Sequence, residues 1–412
     1  MTDFDPTAYV EGEPPFPADE YEDRLERTKA AMAARGIDLL FVTSPANITW
    51  LTGYDMLWYR RATPTGIAIR QDHEQPIFFD TGGHKGLIEN SGFHIEEAVF
   101  FARYRDAGGN ESNFEVSVDS ILDTLKGRGW LKGAAAVERW ATAPGAPVLG
   151  YLEQAFAKAG CTTTDGSWLV DRVRMTYSPR ELAVLHHAAA MADEVMRVIH
   201  GELHAGMREV EIQALAQHEL GKRGCEEAAL RTAVRSGSLR GECHHALPSL
   251  RRVHKGDIVI VDYSASFKRY HVDLLRCFAI GDCDPRWAQV LEKAAGSLDA
   301  VAAAVKPGEP MEKVVETAKA YLDDQGIGRH AWFVGGYVQG IAIPPDWVGH
   351  VYLGGEGFER SDFMPGMMTN YENVFDIEGW PGGSCISYID MLEMTGSGIQ
   401  ALSHLPRTLT VV

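Results

Sequence analysis

"KGDIVIVDYSASFKRYHVDLLRCFAI", Lys255 to Ile280, decides how the second half of this chain folds. Ile258 to Val261 reads as a buried-type strand that ends on Asp262, and Asp273 stands eleven residues later on the returning arm. On an antiparallel hairpin of this length both carboxylates can aim at one point, because side chains on one face recur every second residue. An ionised carboxylate beside an apolar strand is costly unless it is paired or functional. The other reading of the same spacing is two surface aspartates on an edge hairpin.

Outward from the hairpin, helices and long strands alternate. "SPRELAVLHHAAAMADEVMRVIHGEL" opens with Ser178 as cap, Pro179 at the first helical position and Glu181 at the capping-box position, then runs amphipathically for about seven turns. So strong a start signal after "MTY" marks a domain boundary. "MREVEIQALAQHELGKRG", "PRWAQVLEKAAGSLDAVAAAV" and "PMEKVVETAKAYLDDQG" read as further helices, and "MMTNYENVFDI" and "CISYIDMLEMT" as strands. Helices and antiparallel hairpins in one unit imply an α+β domain over 173–412. Before it, "DEYEDRLERTKAAMAARG" is a helix and "IDLLFVTSPANITWLTGY" a strand, turn and helix start. "TGIAIRQD" and "PIFFDTGG" are strands, "SVDSILDTLKGRGW" is a helix and "GAAAVE" a strand. This alternation implies a smaller α/β domain over 19–172. Residues 1–18 are acidic, rich in proline and without periodicity, and read as a lead segment on the surface or on a partner subunit.

The chain has 412 residues with 45% apolar content, enough for two cores, since single cores stop growing at about 250–300 residues. A net charge of −18 argues against nucleic acid and anionic membrane surfaces and suits a small cationic or zwitterionic substrate. Six cysteines are scattered without a C-x-x-C pair, which fits reduced thiols better than a disulfide framework or a structural zinc site. With no signal-like start and no apolar run of membrane-spanning length, the expected location is the cytoplasm.

The hairpin, together with "GGYVQGIAIPPDW", "MPGMMTNYENVF", "IDMLEMTGSG" and the N-terminal "EYEDRLERTKAAMAARGIDLLFVTSPANITWLTGYD", resembles the pita-bread family of methionine aminopeptidase, prolidase, aminopeptidase P, creatinase and ectoine hydrolase. The resemblance spans nearly the whole chain and implies a pita-bread catalytic domain behind a creatinase-like N-terminal domain. Peptidases of that family hold two divalent metals with Asp, Asp, His, Glu and Glu. By position Asp262 and Asp273 match the aspartates and Glu372 the first glutamate. Tyr337, however, stands at the histidine position, and Ile389 at or next to the second glutamate. Isoleucine cannot ligate, and tyrosine substitutes poorly for imidazole. The departure points to the metal-free branch, creatinase and ectoine hydrolase, with no cofactor. If a metal were held after all, Asp262, Asp273 and Glu372 would hold it.

In that branch the resemblance implies a histidine base shortly before the hairpin, which falls on His245; neighbouring His244 is read as surface or satisfied core. Asp262 and Glu372 would hold and polarise a cationic group, with Asp273 and the Tyr337 hydroxyl orienting it. "DMLWYRRATP" lies where creatinase presents its N-terminal domain to the neighbouring subunit's site. Arg60, Arg61 and Trp58 would there clamp a substrate carboxylate within a homodimer; the plainer reading is a solvated arginine face and a core tryptophan. The expected activity is hydrolysis of a non-peptide C–N bond in a small guanidino, amidine or ectoine-like acid. Ectoine hydrolase has glutamate where this chain has Asp262, and the shorter side chain argues against ectoine itself as the substrate. The alternatives are a metal-dependent Xaa-Pro peptidase or dimethylsulfoniopropionate lyase, and a binding protein that kept the fold without the chemistry.

Overall fold

The computed structural model describes residues 4–57, 59–101, 114–237, 246–344, 346–347, 353 and 360–412. The chain divides into two compact units, Ala8–Arg174 and a second from Met175 to Val412 that also takes residues 4–7.

The first unit is built on a six-stranded sheet ordered Ala98–Phe101, Ile77–Thr81, Gly66–Arg70, Leu39–Val42, Ala134–Val137 and Thr162–Asp165. Leu39–Val42 runs antiparallel to Gly66–Arg70 on one side and parallel to Ala134–Val137 on the other, so the sheet is mixed. Its central strands are buried on both faces, which is why "LLFV" and "AAAV" are continuous apolar runs rather than alternating ones. Phe41, Phe79, Val118, Ile121, Leu152 and Phe156 belong to its core.

In the second unit the helix Pro179–Glu202 starts as its capping signal requires. The Ser178 hydroxyl accepts from Glu181 N at 3.1 Å, and Glu181 Oε2 accepts from Ser178 N at 2.7 Å. The other carboxylate oxygen accepts the Tyr270 hydroxyl at 2.7 Å, so the same glutamate ties the helix start to the hairpin. The main path of the sheet runs Ala331–Gly335, Met368–Asp376, Cys385–Thr395, Tyr270–Ala279, Ile258–Phe267, Ala233–Ser236. Ile258–Phe267 therefore has a neighbour on each side, and Asp262 and Asp273 are buried, which removes the reading of two surface aspartates on an edge hairpin.

Pairing of Phe267 with Tyr270 leaves Lys268 and Arg269 as a two-residue loop, both at positive φ (50° and 66°). That is the hairpin geometry usually supplied by Asn-Gly. Two non-glycine residues in the left-handed region cost about 1–2 kcal/mol each, and the Glu226 carboxylate accepting Arg269 N at 2.7 Å helps hold the turn. The turn sets the register, and the register sets the site. On the face away from the site, buried Arg276 bonds Asp390 at 3.0 Å and Ile389 O at 2.7 Å, locking the returning arm against Cys385–Thr395.

Candidate active site

One rung crosses the sheet. Ala233 pairs with Asp262, Asp262 with Leu275, Leu275 with Ile389, Ile389 with Glu372, and Glu372 with Gly335. Residues paired this way point to the same face. Asp273, two residues from Leu275, shares it, as does Asn370, two residues from Glu372. The rung thus presents Asp262 and Asp273 at one end and Glu372 at the other, with Leu275 and Ile389 between.

Tyr337 enters from a short extended stretch. The Val338–Thr369 bridge, with Asn370 N donating to Tyr337 O at 3.1 Å, places Tyr337 opposite Asn370. Gly336 before it has φ +151°, and a Cβ there would run into the Asn370 carbonyl, so the glycine permits the close approach. The Tyr337 hydroxyl donates to Asp273 Oδ2 at 2.8 Å, Asn370 Nδ2 donates to the same oxygen at 3.0 Å, and Trp347 Nε1 donates to the Tyr337 hydroxyl at 3.0 Å. Asn370 Oδ1 in turn accepts Tyr337 N at 2.8 Å. The indole of Trp347 packs edge-on against His271, itself on the face of Asp273.

Both aspartates lie inside the protein. Burial, then the charges of Asp273 and Glu372, push Asp262 well above the usual carboxylate range, and its side-chain contact with Asp273 acts in the same direction. Burial and Glu372 raise Asp273 to about 6 against the donors from Tyr337, Asn370 and Asp262 that favour its charged form. Two buried carboxyls in contact disfavour being charged together. His271 is no proton shuttle. Burial lowers it to about 4, Nδ1 donates to Arg269 O and Nε2 accepts from Ala229 N. Cys277, farther along the face, donates to Ser387 O, and burial pushes its thiol up to about 12, so it offers no thiolate.

The five-ligand set of a dinuclear metallopeptidase does not fit these residues. Asp273 Oδ2 already takes two donors, Tyr337 faces the pair with a hydroxyl, and Ile389 occupies the rung beside Glu372 with a hydrocarbon. Among the described residues, no group of three or more His, Cys, Asp or Glu side chains is spaced to hold an ion.

Of the expected site residues, Asp262, Asp273, Glu372 and Tyr337 come together here. Arg60 and Arg61 are exposed in the other unit, in the turn before Gly66–Arg70, where Arg61 O accepts Gly145 N. His245, with His244, and Trp58 lie outside the described residues. The structure adds two residues that the sequence did not single out: Asn370 was legible as the residue two before Glu372 on a strand, and Trp347 carried no such signal.

The model of metallopeptidase family M24 matches residues 183–399, and that of the creatinase/prolidase N-terminal domain matches residues 24–176. The chain is 22% identical over 409 residues to the ectoine hydrolase of Halomonas elongata, covering 96% of this chain and 98% of that one. It is also 22% identical over 388 residues to the Xaa-Pro dipeptidase of Pyrococcus furiosus, covering 94% and 99%. The crystal structure of a dipeptidase from Pyrococcus horikoshii superposes with a TM-score of 0.77 at 22% identity, covering 94% of this chain and all of that one. Dipeptidases and prolidases are at least as frequent among these relatives as ectoine hydrolase. Among the described residues, no helix is long and apolar enough to cross a membrane.

Proposed function

This chain belongs to metallopeptidase family M24, a family of hydrolases, and carries that family's creatinase/prolidase N-terminal domain; from that premise we propose that it hydrolyses a C–N bond other than a peptide bond, without a metal, in a small guanidino, amidine or ectoine-like carboxylic acid. The observation that carries this reading is the polar bracing of the aspartate pair. Tyr337 and Asn370 both donate to Asp273, and buried Asp262 lies beside it.

A buried carboxylate pair, with Glu372 across the rung, calls for a compensating cation. A planar amidinium or guanidinium suits it, since its N–H groups lie in one plane and its charge is spread over several atoms. Asp262 and Glu372 would hold that group and keep its central carbon electrophilic, with Tyr337 and Asp273 fixing its orientation. Water adds to that carbon, forming the C–O bond; its proton passes to His245 and from there to the nitrogen, which leaves as an amine when the C–N bond breaks. Arg60, Arg61 and Trp58 of a second subunit would clamp the substrate carboxylate, which makes the active unit a homodimer.

A metal-dependent Xaa-Pro peptidase is the second reading, favoured by the relatives named as dipeptidases and prolidases. It has to work with oxygen donors from Asp262, Asp273 and Glu372 alone, a set suited to a hard, weakly bound ion. Turnover assays on creatine, ectoine, other guanidino acids and Xaa-Pro dipeptides separate the two. The proposal expects release of amine from one of the guanidino or amidine acids and none from the dipeptides; cleavage of the dipeptides alone would reverse it.

A further inference from the structure

Gln339 is 6% exposed, yet neither its amide nitrogen nor its amide oxygen meets a hydrogen-bond partner among the described residues. Its backbone, by contrast, is fully engaged. Its N–H donates to Met368 O at 3.1 Å, and its carbonyl accepts the Tyr177 hydroxyl. Gly340, at φ +121°, follows at once, and a Cβ there would stand 2.5 Å from that same hydroxyl. The backbone is pinned on both sides, so strand alternation sets the side chain's face. Val338 bridges Thr369, which leaves Tyr337 and Gln339 on the face that Asn370 and Glu372 share. A buried amide with both ends open, one alternation from Tyr337, destabilises the empty protein unless a ligand completes it.

We propose that Gln339 is the residue that sets substrate specificity, accepting an N–H of the substrate's cationic group at Oε1 and donating from Nε2 to its carboxylate. The assignment rests on the guanidino or amidine reading of the site. An ammonium alone would leave Nε2 open, and a carboxylate alone would leave Oε1 open. One amide reaches both partners only when they are close together, so the carboxylate belongs on the carbon attached to the guanidino or amidine nitrogen. The substrate class narrows to α-guanidino and α-amidino acids, in preference to those with a longer spacer.

The test uses the full-length protein and two probes, guanidinoacetate and 4-guanidinobutyrate. Binding is followed by titration and melting by calorimetry, with Gln339→Met as an apolar replacement of similar volume and Gln339→Leu as a second. The wild type should bind guanidinoacetate at least about tenfold more tightly than the longer acid. Gln339→Met should lose about 10- to 100-fold in affinity for guanidinoacetate, the range of one or two hydrogen bonds, and lose the preference. The unliganded variant should melt about 2–4 °C higher, because an open buried amide has been removed. A lower melting temperature in both variants would show that the amide serves the fold, and an undiminished preference would show that it does not read the substrate; either overturns the assignment. If the wild type binds neither acid, the guanidino reading of the site fails, and melting alone decides Gln339, a rise sustaining an amide that awaits a ligand and a fall removing it.

Discussion

Asp262 and Asp273 give the site its pH dependence, and its sign follows from their environment. Burial and neighbouring carboxylates raise both above the value of about 3.9 for an unfolded aspartate. A raised carboxyl contributes stability that is complete below the unfolded value and lost as pH rises, through about 6 for Asp273 and in the same sense for Asp262. His271 works the other way, its contribution being complete above about 6.5 and lost as pH falls towards about 4, so the difference between variant and wild type at each pH, in which His271 cancels, isolates the aspartate. Asp262→Asn keeps an N–H to offer Asp273 and removes one titrating group. Its melting temperature should exceed the wild type's by about 2–4 °C at pH 8, with the gain shrinking towards pH 5. An equal loss at both values would mean that Asp262 is held as a charged partner. The same titration bears on binding: below about pH 6 Asp273 takes up a proton, and affinity for a cation should fall about tenfold per pH unit, a trend that titrations at pH 4.5, 5.5 and 7 would detect.

At the scale of elements, the hairpin and its two carboxylates were legible because an apolar run that ends in Asp and returns to Asp buries charge at a cost that a purely structural strand avoids. Register was not, because the turn uses Lys268 and Arg269 at positive φ where Asn-Gly would have announced it. The rung was equally hidden, since Leu275 meets Ile389 only through the order of strands far apart in sequence. Trp347 reaches Tyr337 from just after Asp346, whose N–H donates back to Ile343 O, and loop geometry leaves no periodic trace. The substitutions at Tyr337 and Ile389, in contrast, stood out once the resemblance gave them a register. Restoring both, Tyr337→His with Ile389→Glu, should create a site that retains about one equivalent or more of Mn²⁺ or Zn²⁺ after dialysis. A folded double variant that retains no more metal than the wild type would show that other parts of the rung exclude the ion.

For the whole molecule, two units and the helix that opens the second were readable from capping chemistry and a change of periodicity, and the division falls between Arg174 and Met175. How many chains complete one site was not, because the arginines that would clamp a carboxylate stand on the first unit. The proposed homodimer makes a concrete claim about them. An Arg60→Ala/Arg61→Ala chain and a His245→Ala chain, each inactive alone, should recover activity when mixed and exchanged, since one site per heterodimer then has both intact contributions. Inactivity after verified exchange would assign the arginines to their own chain's site or to none.

A braced carboxylate pair, on this proposal, works in place of a metal centre. The most direct test is turnover in excess chelator, with guanidino acids, amidine acids and Xaa-Pro dipeptides offered side by side and metal content measured on the same sample. The predicted result is well under about one equivalent of metal per chain, since two of the five ligand positions cannot serve, and undiminished release of amine from a guanidino or amidine acid. Activity that chelator abolishes and Mn²⁺ or Co²⁺ restores would contradict it.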